Sequence, residues 1–280
     1  MKTIKKLFCF ALLSLRFASL SPIDLGAPIV FAAETGPDAQ ANPPFYLAIV
    51  IDDLGNNAKG TEEMLKLPLP ITGAVMPHLP SSVKDAADFH GAGKGVILHM
   101  PMQSDTGKQA WIGKNPITTD LSPEQVRERV NAALDELVYA EGMNNHMGST
   151  ITQNEPIMEQ IMDVLKERGL IMLDSRTTPK SKVGDAARKK NAKYLTRDIF
   201  LDGTQDGNEI EKNLRKAANI AKKKGYAIAI GHVGPWGGVV TAEAIRGLAS
   251  ALQEEGIQFV TLKDLYAALN DQKPSPKRKK

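Results

Sequence analysis

Short apolar runs alternating with amphipathic helical patterns put this chain in the α/β class, as an α/β barrel or a doubly wound sheet with a largely parallel core. Seven or eight apolar runs of strand length recur between residues 45 and 262. Three helical patterns are each closed by a glycine that leads directly into the next run, which is repeated helix-to-strand wiring. Nearly every run also ends in Asp, Asn or His, and in both architectures functional groups gather at the carboxyl ends of the strands.

The first run, Phe45-Tyr-Leu-Ala-Ile-Val-Ile51, reads as a buried strand that opens into Asp52-Asp53-Leu54-Gly55. Runs at 71–76 and 95–99 are further strands. Ser122-Pro-Glu-Gln125 is a helix start, with Ser122 as cap, Pro123 at the first helical position and Gln125 reaching back. Val126, Val130, Leu134 and Leu137 mark its buried face, and it is expected to end near Gly142, before a strand carrying Asn144-Asn-His146. From Asn154 to Arg168, Ile157, Met158, Ile161, Met162 and Leu165 recur at helical spacing; Gly169 closes this helix and Leu170-Ile-Met-Leu173 follows. A short run at 199–201 precedes a helix from Asn208 to Lys224, closed by Gly225 before Tyr226-Ala-Ile-Ala-Ile230. A helix from Thr241 to Glu255 is closed by Gly256 before a strand at 257–262.

One domain is therefore expected over 45–270. Residues 33–44 are a polar, Pro-rich linker, and 271–280 form a basic tail. In residues 1–32, Lys2, Lys5 and Lys6 precede an apolar run from Leu7 to Leu15 that is too short to span a membrane, the pattern of a secretory signal with a small-residue site at Ala32. Cleavage there removes four cations and one carboxylate and lowers the formal charge from +3 to 0; setting aside the five cations of the tail leaves −5 on residues 33–272. The positive charge thus comes from the ends, and a basic groove for nucleic acid is not supported. The one cysteine, Cys9, lies in the signal, so the mature chain has no disulfide or thiolate site and any metal must use His, Asp or Glu. An exported protein of this kind suits a periplasm or cell envelope.

Strand ends supply Asp52-Asp53, His78, His99, Asn144-Asn-His146, Asp174-Ser-Arg176, Asp202 and His232; four of the five histidines stand there, and only His90 lies in a helical pattern. Two adjacent carboxylates at the end of a buried strand suggest a mounted site. Successive side chains point to opposite faces, so one can face a metal while its neighbour approaches from another side. His99 and His146 are candidate ligands. His232, among glycines that let a ligand approach, is a candidate general acid. Asp174 and Arg176 are a candidate ion pair that orients a neighbour, and His78 a candidate cleft residue. There is no phosphate loop or dinucleotide fingerprint, and no G-x-S-x-G elbow to support a serine esterase built on Ser149 or Ser175.

At these residues the chain resembles the divergent polysaccharide deacetylase family, bacterial envelope proteins distantly related to carbohydrate esterases that include chitooligosaccharide and peptidoglycan deacetylases. The stretches that carry the resemblance are 48–55, 96–102, 142–149, 173–177, 200–202 and 229–232, spread over nearly all of residues 45–265. It implies a distorted (β/α) barrel of about seven strands and a divalent metal, zinc by default. It also implies removal of acetyl groups from amino sugars of an envelope polysaccharide or oligosaccharide. By the same resemblance Asp52 is the base and Asp53 a metal ligand. The better-known enzymes take both metal histidines from one H-x-x-x-H motif, which is lacking after His99; His146 from the next strand is expected to replace the missing one, completing a set of Asp53, His99 and His146. His232 falls where those enzymes carry their acid, with an acidic neighbour such as Asp174, and Arg176 beside it. Asn145, His78 and Ser149 are the expected substrate contacts. No nucleic-acid partner and no transmembrane segment in the mature chain are expected. The altered histidine motif keeps open a second expectation, a non-catalytic envelope protein that binds glycan or a protein partner on the same barrel.

Overall fold

The computed structural model describes residues 44–271; the expected signal, nearly all of the linker and the basic tail beyond Asp271 lie outside the described residues. The elements, in chain order, are β1 (Phe45–Leu54), α1 (Thr61–Leu65), β2 (Thr72–Val75), α2 (Ser82–Gly91), β3 (Gly95–Met102), α3 (Pro123–Glu136), β4 (Gly142–Met147), α4 (Glu155–Glu167), β5 (Ile171–Asp174), α5 (Val183–Lys190), β6 (Lys193–Thr196), β7 (Ile199–Phe200), α6 (Gly207–Lys224), β8 (Tyr226–His232), α7 (Val239–Glu254), β9 (Ile257–Val260) and α8 (Leu262–Asp271). Every strand pair is parallel, in the order β6-β5-β4-β3-β2-β1-β8-β7. The sheet curls into a (β/α) barrel that stays open between β6 and β7, and β9 pairs with the first half of β1 below β2. No helix among the described residues is long and apolar enough to cross a membrane.

The period of two along each strand divides the apolar residues between two cores. Leu47, Ile49 and Ile51 pack outward against the helices. Ala48, Val50, Ala74, Ile97, Leu173, Ile228 and Ile230 fill the barrel. Leu262 and Leu265 of α8 join the inner core, and the Leu262 amide donates to Thr72 Oγ1 at the start of β2 (2.9 Å), so α8 sits at the amino ends of the strands. The opposite rim is left open for chemistry.

Local signals account for most boundaries. Ser122 and Gln125 form a reciprocal capping box at α3, and Asn154 caps α4. Gly225, at φ 91°, ends α6 in the left-handed conformation that glycine adopts without cost. Among the elements that escape the apolar pattern are α5, which is rich in Lys and Arg, and β6, an edge strand with a half-exposed surface. The last strand is shorter than its apolar run: Leu262 begins α8 instead of ending β9.

The turn that follows Asp52-Asp53 is held from outside the barrel. The Gly55 amide donates to Asp85 Oδ2 (2.8 Å), Ser81 Oγ donates to the same oxygen (2.9 Å), and the Ser81 amide donates to the Gly55 carbonyl (2.8 Å). Asp85 is buried. Asp85→Ala should strand the buried Gly55 amide and cost about 1–3 kcal/mol in urea unfolding; Asp85→Asn, which keeps an acceptor, should cost less. Equal stability of Asp85→Ala and wild type would show that the turn does not depend on this anchor.

Candidate metal centre and acid–base site

The inner-face phase of β1 runs Ala48, Val50, Asp52, so Asp52 continues the barrel core as a buried carboxylate. Asp53 has the opposite phase. The register of β1 against β2 shifts between Ile51 and Leu54, and Asp53 takes φ 68°. This irregularity re-aims one side chain, as bulges do beside active sites, and brings both carboxylates to the same rim. Adjacent residues on a regular strand do not achieve that.

His99 follows Ile97 on the inner face of β3, and the β3–β4 register sets Asn144 beside it. Two residues farther along β4, His146 has the same phase. His99 Nδ1 lies 2.7 Å from Asn144 Oδ1, while Asn144 Nδ2 donates to Asp52 Oδ1 (2.8 Å) and to Ser175 Oγ (3.2 Å). A carboxylate only accepts, so the Asn144 amide nitrogen must face Asp52 and its oxygen must face His99. His99 therefore carries its proton on Nδ1 and presents a lone pair at Nε2. His146 Nε2 lies 2.9 Å from the Trp111 carbonyl, which only accepts, so His146 presents its lone pair at Nδ1.

These two lone pairs and Asp53 Oδ1 converge. His146 Nδ1 is 3.0 Å from His99 Nε2, and Asp53 Oδ1 is 3.1 Å from the first and 3.3 Å from the second. Asp53 Oδ1 is buried with no hydrogen-bond donor. Three acceptors that close repel one another unless positive charge stands between them. The donor set, one carboxylate and two imidazoles whose outer N–H groups are tied to fixed acceptors, fits a divalent ion. The titration directions agree. Burial raises the Asp53 carboxyl, but His146 and His99 outweigh it and hold it well below its ordinary value. Burial lowers His99, but Asp52 and Asp53 outweigh it and hold the imidazole above its ordinary value. The centre attracts positive charge.

Asp52 and His232 are cross-strand neighbours in the β1–β8 register. Burial raises the Asp52 carboxyl above its ordinary value, against the pull of His99 and His232. His232 Nδ1 lies 2.7 Å from Asp202 Oδ1; Asp202 Oδ2 accepts from the His232 amide and from Thr241 Oγ1, both at 2.8 Å. Burial alone would lower the imidazole, but the sealed Asp202 carboxylate, with Asp52 and Asp53, pushes it up to about 9. His232 is thus a cation at neutral pH. Gly237 permits this arrangement by its lack of a side chain, since a Cβ there would lie 2.1 Å from both Asp202 Oδ2 and Thr241 Oγ1.

All five groups open into one cleft of about 890 Å³. Its walls are mostly apolar, among them Met76, Leu79, Phe200 and Val233, and Trp111 and Trp236 stand half-exposed at its mouth with ring centroids 6.3 Å apart.

Of the residues singled out in the sequence, the structure brings together Asp52, Asp53, His99, His146 and His232. Asp174 is not the neighbour of His232: it has the outward phase of Met172, and its carboxylate accepts from the Arg176 amide and Ser181 Oγ, both at 2.8 Å. Asp202 occupies the expected place. The Arg176 side chain is exposed and makes no ion pair among the described residues, so the Asp174–Arg176 pair does not form. His78 turns from the cleft onto α3, with Nδ1 2.5 Å from Glu136 Oε2. Ser149 is engaged by Ser104 and Asp105 in the loop after β3. Asn145 borders the cleft, but its amide is spent on the Met147 carbonyl, Thr177 Oγ1 and the Ser175 amide. Sequence reasoning missed the role of Asn144; the signal was available in its phase, two residues before His146 on the same face.

The family model for divergent polysaccharide deacetylases matches residues 49–266. An uncharacterized protein of Haemophilus influenzae is 35% identical over 211 residues, covering 75% of each chain. The Escherichia coli protein YibQ, also uncharacterized, is 34% identical over 189 residues, 68% of this chain and 59% of that one. An uncharacterized protein of Agrobacterium tumefaciens, of known crystal structure, superposes with a TM-score of 0.74 at 21% identity, covering 82% of this chain and 92% of that one. The Xyl-CE4 domain of a multidomain xylanase from a Trinervitermes trinervoides hindgut metagenome superposes at 0.51 with 14% identity and the same two coverages, which shows a shared fold. The chain belongs to the divergent polysaccharide deacetylase family.

The geometry around His232 predicts its titration. In the metal-free protein Asp202→Asn removes the main raising partner and leaves the lowering effect of burial, so the imidazole should titrate well below 9 by NMR. Gly237→Ala should move it in the same direction by displacing Asp202. A His232 that still titrates near 9 in Asp202→Asn would rule out this pairing as the cause.

Proposed function

We propose that this member of the family is a metal-dependent hydrolase that removes acetyl groups from amino sugars of an envelope polysaccharide. The observation that carries the reading is the convergence of Asp53 Oδ1, His99 Nε2 and His146 Nδ1 within 3.0–3.3 Å of one another, flanked by Asp52 and by His232. Asp53, His99 and His146 would hold a divalent ion, zinc by default, which when bound would supply Lewis-acid polarisation of the amide carbonyl and a lowered pKa of water. Asp52, raised by burial and steadied by Asn144, takes the proton of the attacking water. His232, kept protonated by Asp202, gives a proton to the leaving amine nitrogen. Trp111 and Trp236 supply apolar faces on which a pyranose ring stacks. Ser104, Thr106 and Thr177 supply hydroxyls along the walls.

The family match supports the substrate class, and the missing H-x-x-x-H motif does not count against the chemistry, because the sheet register delivers a second histidine. The basic and apolar regions of residues 1–15 support export to the periplasm or cell envelope.

Elemental analysis of the mature protein should find about one divalent ion per chain, as expected for a single three-ligand centre, lost in Asp53→Ala, His99→Ala and His146→Ala variants that remain folded. Asp52→Asn should keep the ion but lower amine release from acetylated glucosamine oligomers by about 10²–10⁴-fold. In the active enzyme, Asp202→Asn should move the basic limb of the pH–rate profile to lower pH, because the acid then deprotonates earlier. No ion after reconstitution with zinc, manganese, cobalt or nickel would sink the mechanism. A loaded protein that releases no amine would instead favour a glycan-binding protein on the same barrel.

A further inference from the structure

The open seam of the barrel forms a second concavity, of about 1310 Å³, larger than the catalytic cleft. Its lining holds four cations, Arg176, Arg188, Arg197 and Lys224, against one carboxylate, Asp198. Asp198 is already engaged by Lys224 (2.5 Å) and by the Ile228 amide (2.9 Å). The excess is local, since residues 33–272 carry a formal −5. Three tyrosines, Tyr194, Tyr226 and Tyr266, complete the walls.

The arginines are pre-set. Arg197 donates from Nε to the Ser175 carbonyl (2.6 Å) and from a terminal nitrogen to the Arg176 carbonyl (3.2 Å), and its guanidinium lies 3.7 Å from the Phe200 ring centroid. It is half-buried, yet no carboxylate among the described residues lies within ion-pair distance of it. A half-buried cation without an anion is a costly arrangement that an incoming anion relieves. Arg188 is fixed by Tyr194 Oη (2.9 Å) and Asp185. Arg176 takes φ 49°, an uncommon conformation for a side-chain-bearing residue, held by the Asp174 cap and the Arg197 grip. Its charged end is left free to reach a ligand.

The groove and the cleft share one wall. Thr177 and Phe200 line the cleft, whereas Arg176, Thr178 and Arg197 line the groove. Phe200 touches both sides of the partition's chemistry: the Arg197 guanidinium lies over its ring, and the His232 ring is tilted against it with centroids 5.5 Å apart. We propose that the seam groove is a second carbohydrate site, which takes an anionic sugar, bearing carboxylate or phosphate, of the same strand whose acetylated residue enters the cleft. The proposal rests on the glycan reading above. Arginines match the planar, multi-oxygen geometry of either anion, and the tyrosine faces match sugar rings.

Calorimetric titration of the full mature chain, with hexagalacturonate as the carboxylate probe, a phosphorylated maltohexaose as the phosphate probe and neutral chitohexaose as reference, tests the assignment. At least one anionic probe should bind, and Arg176→Ala/Arg188→Ala should weaken it at least tenfold more than it weakens chitohexaose. Which probe responds identifies the anion. Both substituted residues are on the surface, and thermal unfolding checks that the variant is folded. Failure of both anionic probes to bind, equal binding by wild type and variant as an interaction with the basic tail would give, or an equal loss of all three ligands would overturn the proposal. Arginine-dependent binding in a protein that never releases amine from chitohexaose would uphold the groove and reject the deacetylase mechanism, so the two fail separately.

Discussion

The rim depends on the one orientation open to the Asn144 amide. Its nitrogen must donate to Asp52, a group that only accepts, and its oxygen must then receive the Nδ1 proton of His99. One buried side chain thus sets the tautomer of a candidate metal-ligand histidine and holds the neighbouring carboxylate. Reversal would place an amide N–H against an imidazole N–H and an amide oxygen against a carboxylate, two repulsive contacts among three buried side chains. Trp111 does the same for His146 through its backbone carbonyl. That contact also ties the loop bearing one of the mouth tryptophans to the centre.

The barrel supplies the rest by phase and by controlled departures from it. Asp52, His99 and His232 continue inner-face rows whose earlier members are apolar core, and Asn144 and His146 share the inner-face row of β4 that begins at Gly142. The departures cluster where strands end: Asp53 near the end of β1, His78 after β2, Met147 at the end of β4 and Arg176 after β5 all take positive φ without being glycine. Such strain persists only where surroundings over-determine it. Here the supports are visible for three of them, in the Asp85-anchored turn after Asp53, the Glu136 carboxylate on the His78 amide, and the Asp174 cap on Arg176.

Much of this was legible in the sequence, for definite reasons. Apolar runs and glycine stops mark strands and helices because burial and the left-handed cap are local demands, and strand-end Asp and His stand out against an apolar background. What was not legible depended on pairing. Asp202 rather than Asp174 meets His232 because β7 lies beside β8, whereas Asp174 has the outward phase on β5. The choice of Asn145 over Asn144 could be corrected only by phase, and β6 hid because an edge strand need not be apolar on both faces.

The departure from a local H-x-x-x-H motif has a physical consequence. A motif with both histidines on one short segment fixes their spacing by local geometry, so the pair survives errors elsewhere. Here the second candidate ligand comes from β4, and the spacing of His99 and His146 depends on the register that pairs His99 with Asn144 and Pro101 with His146. A slip of one residue would turn both Asn144 and His146 to the outer face. The centre is therefore assembled by the sheet as a whole. The buried Met143 and Met100 between the two strands and the outer helices specify that register through their outward phase. Packing and chemistry are coupled: what keeps β4 in step with β3 also keeps three acceptors close enough to demand a cation.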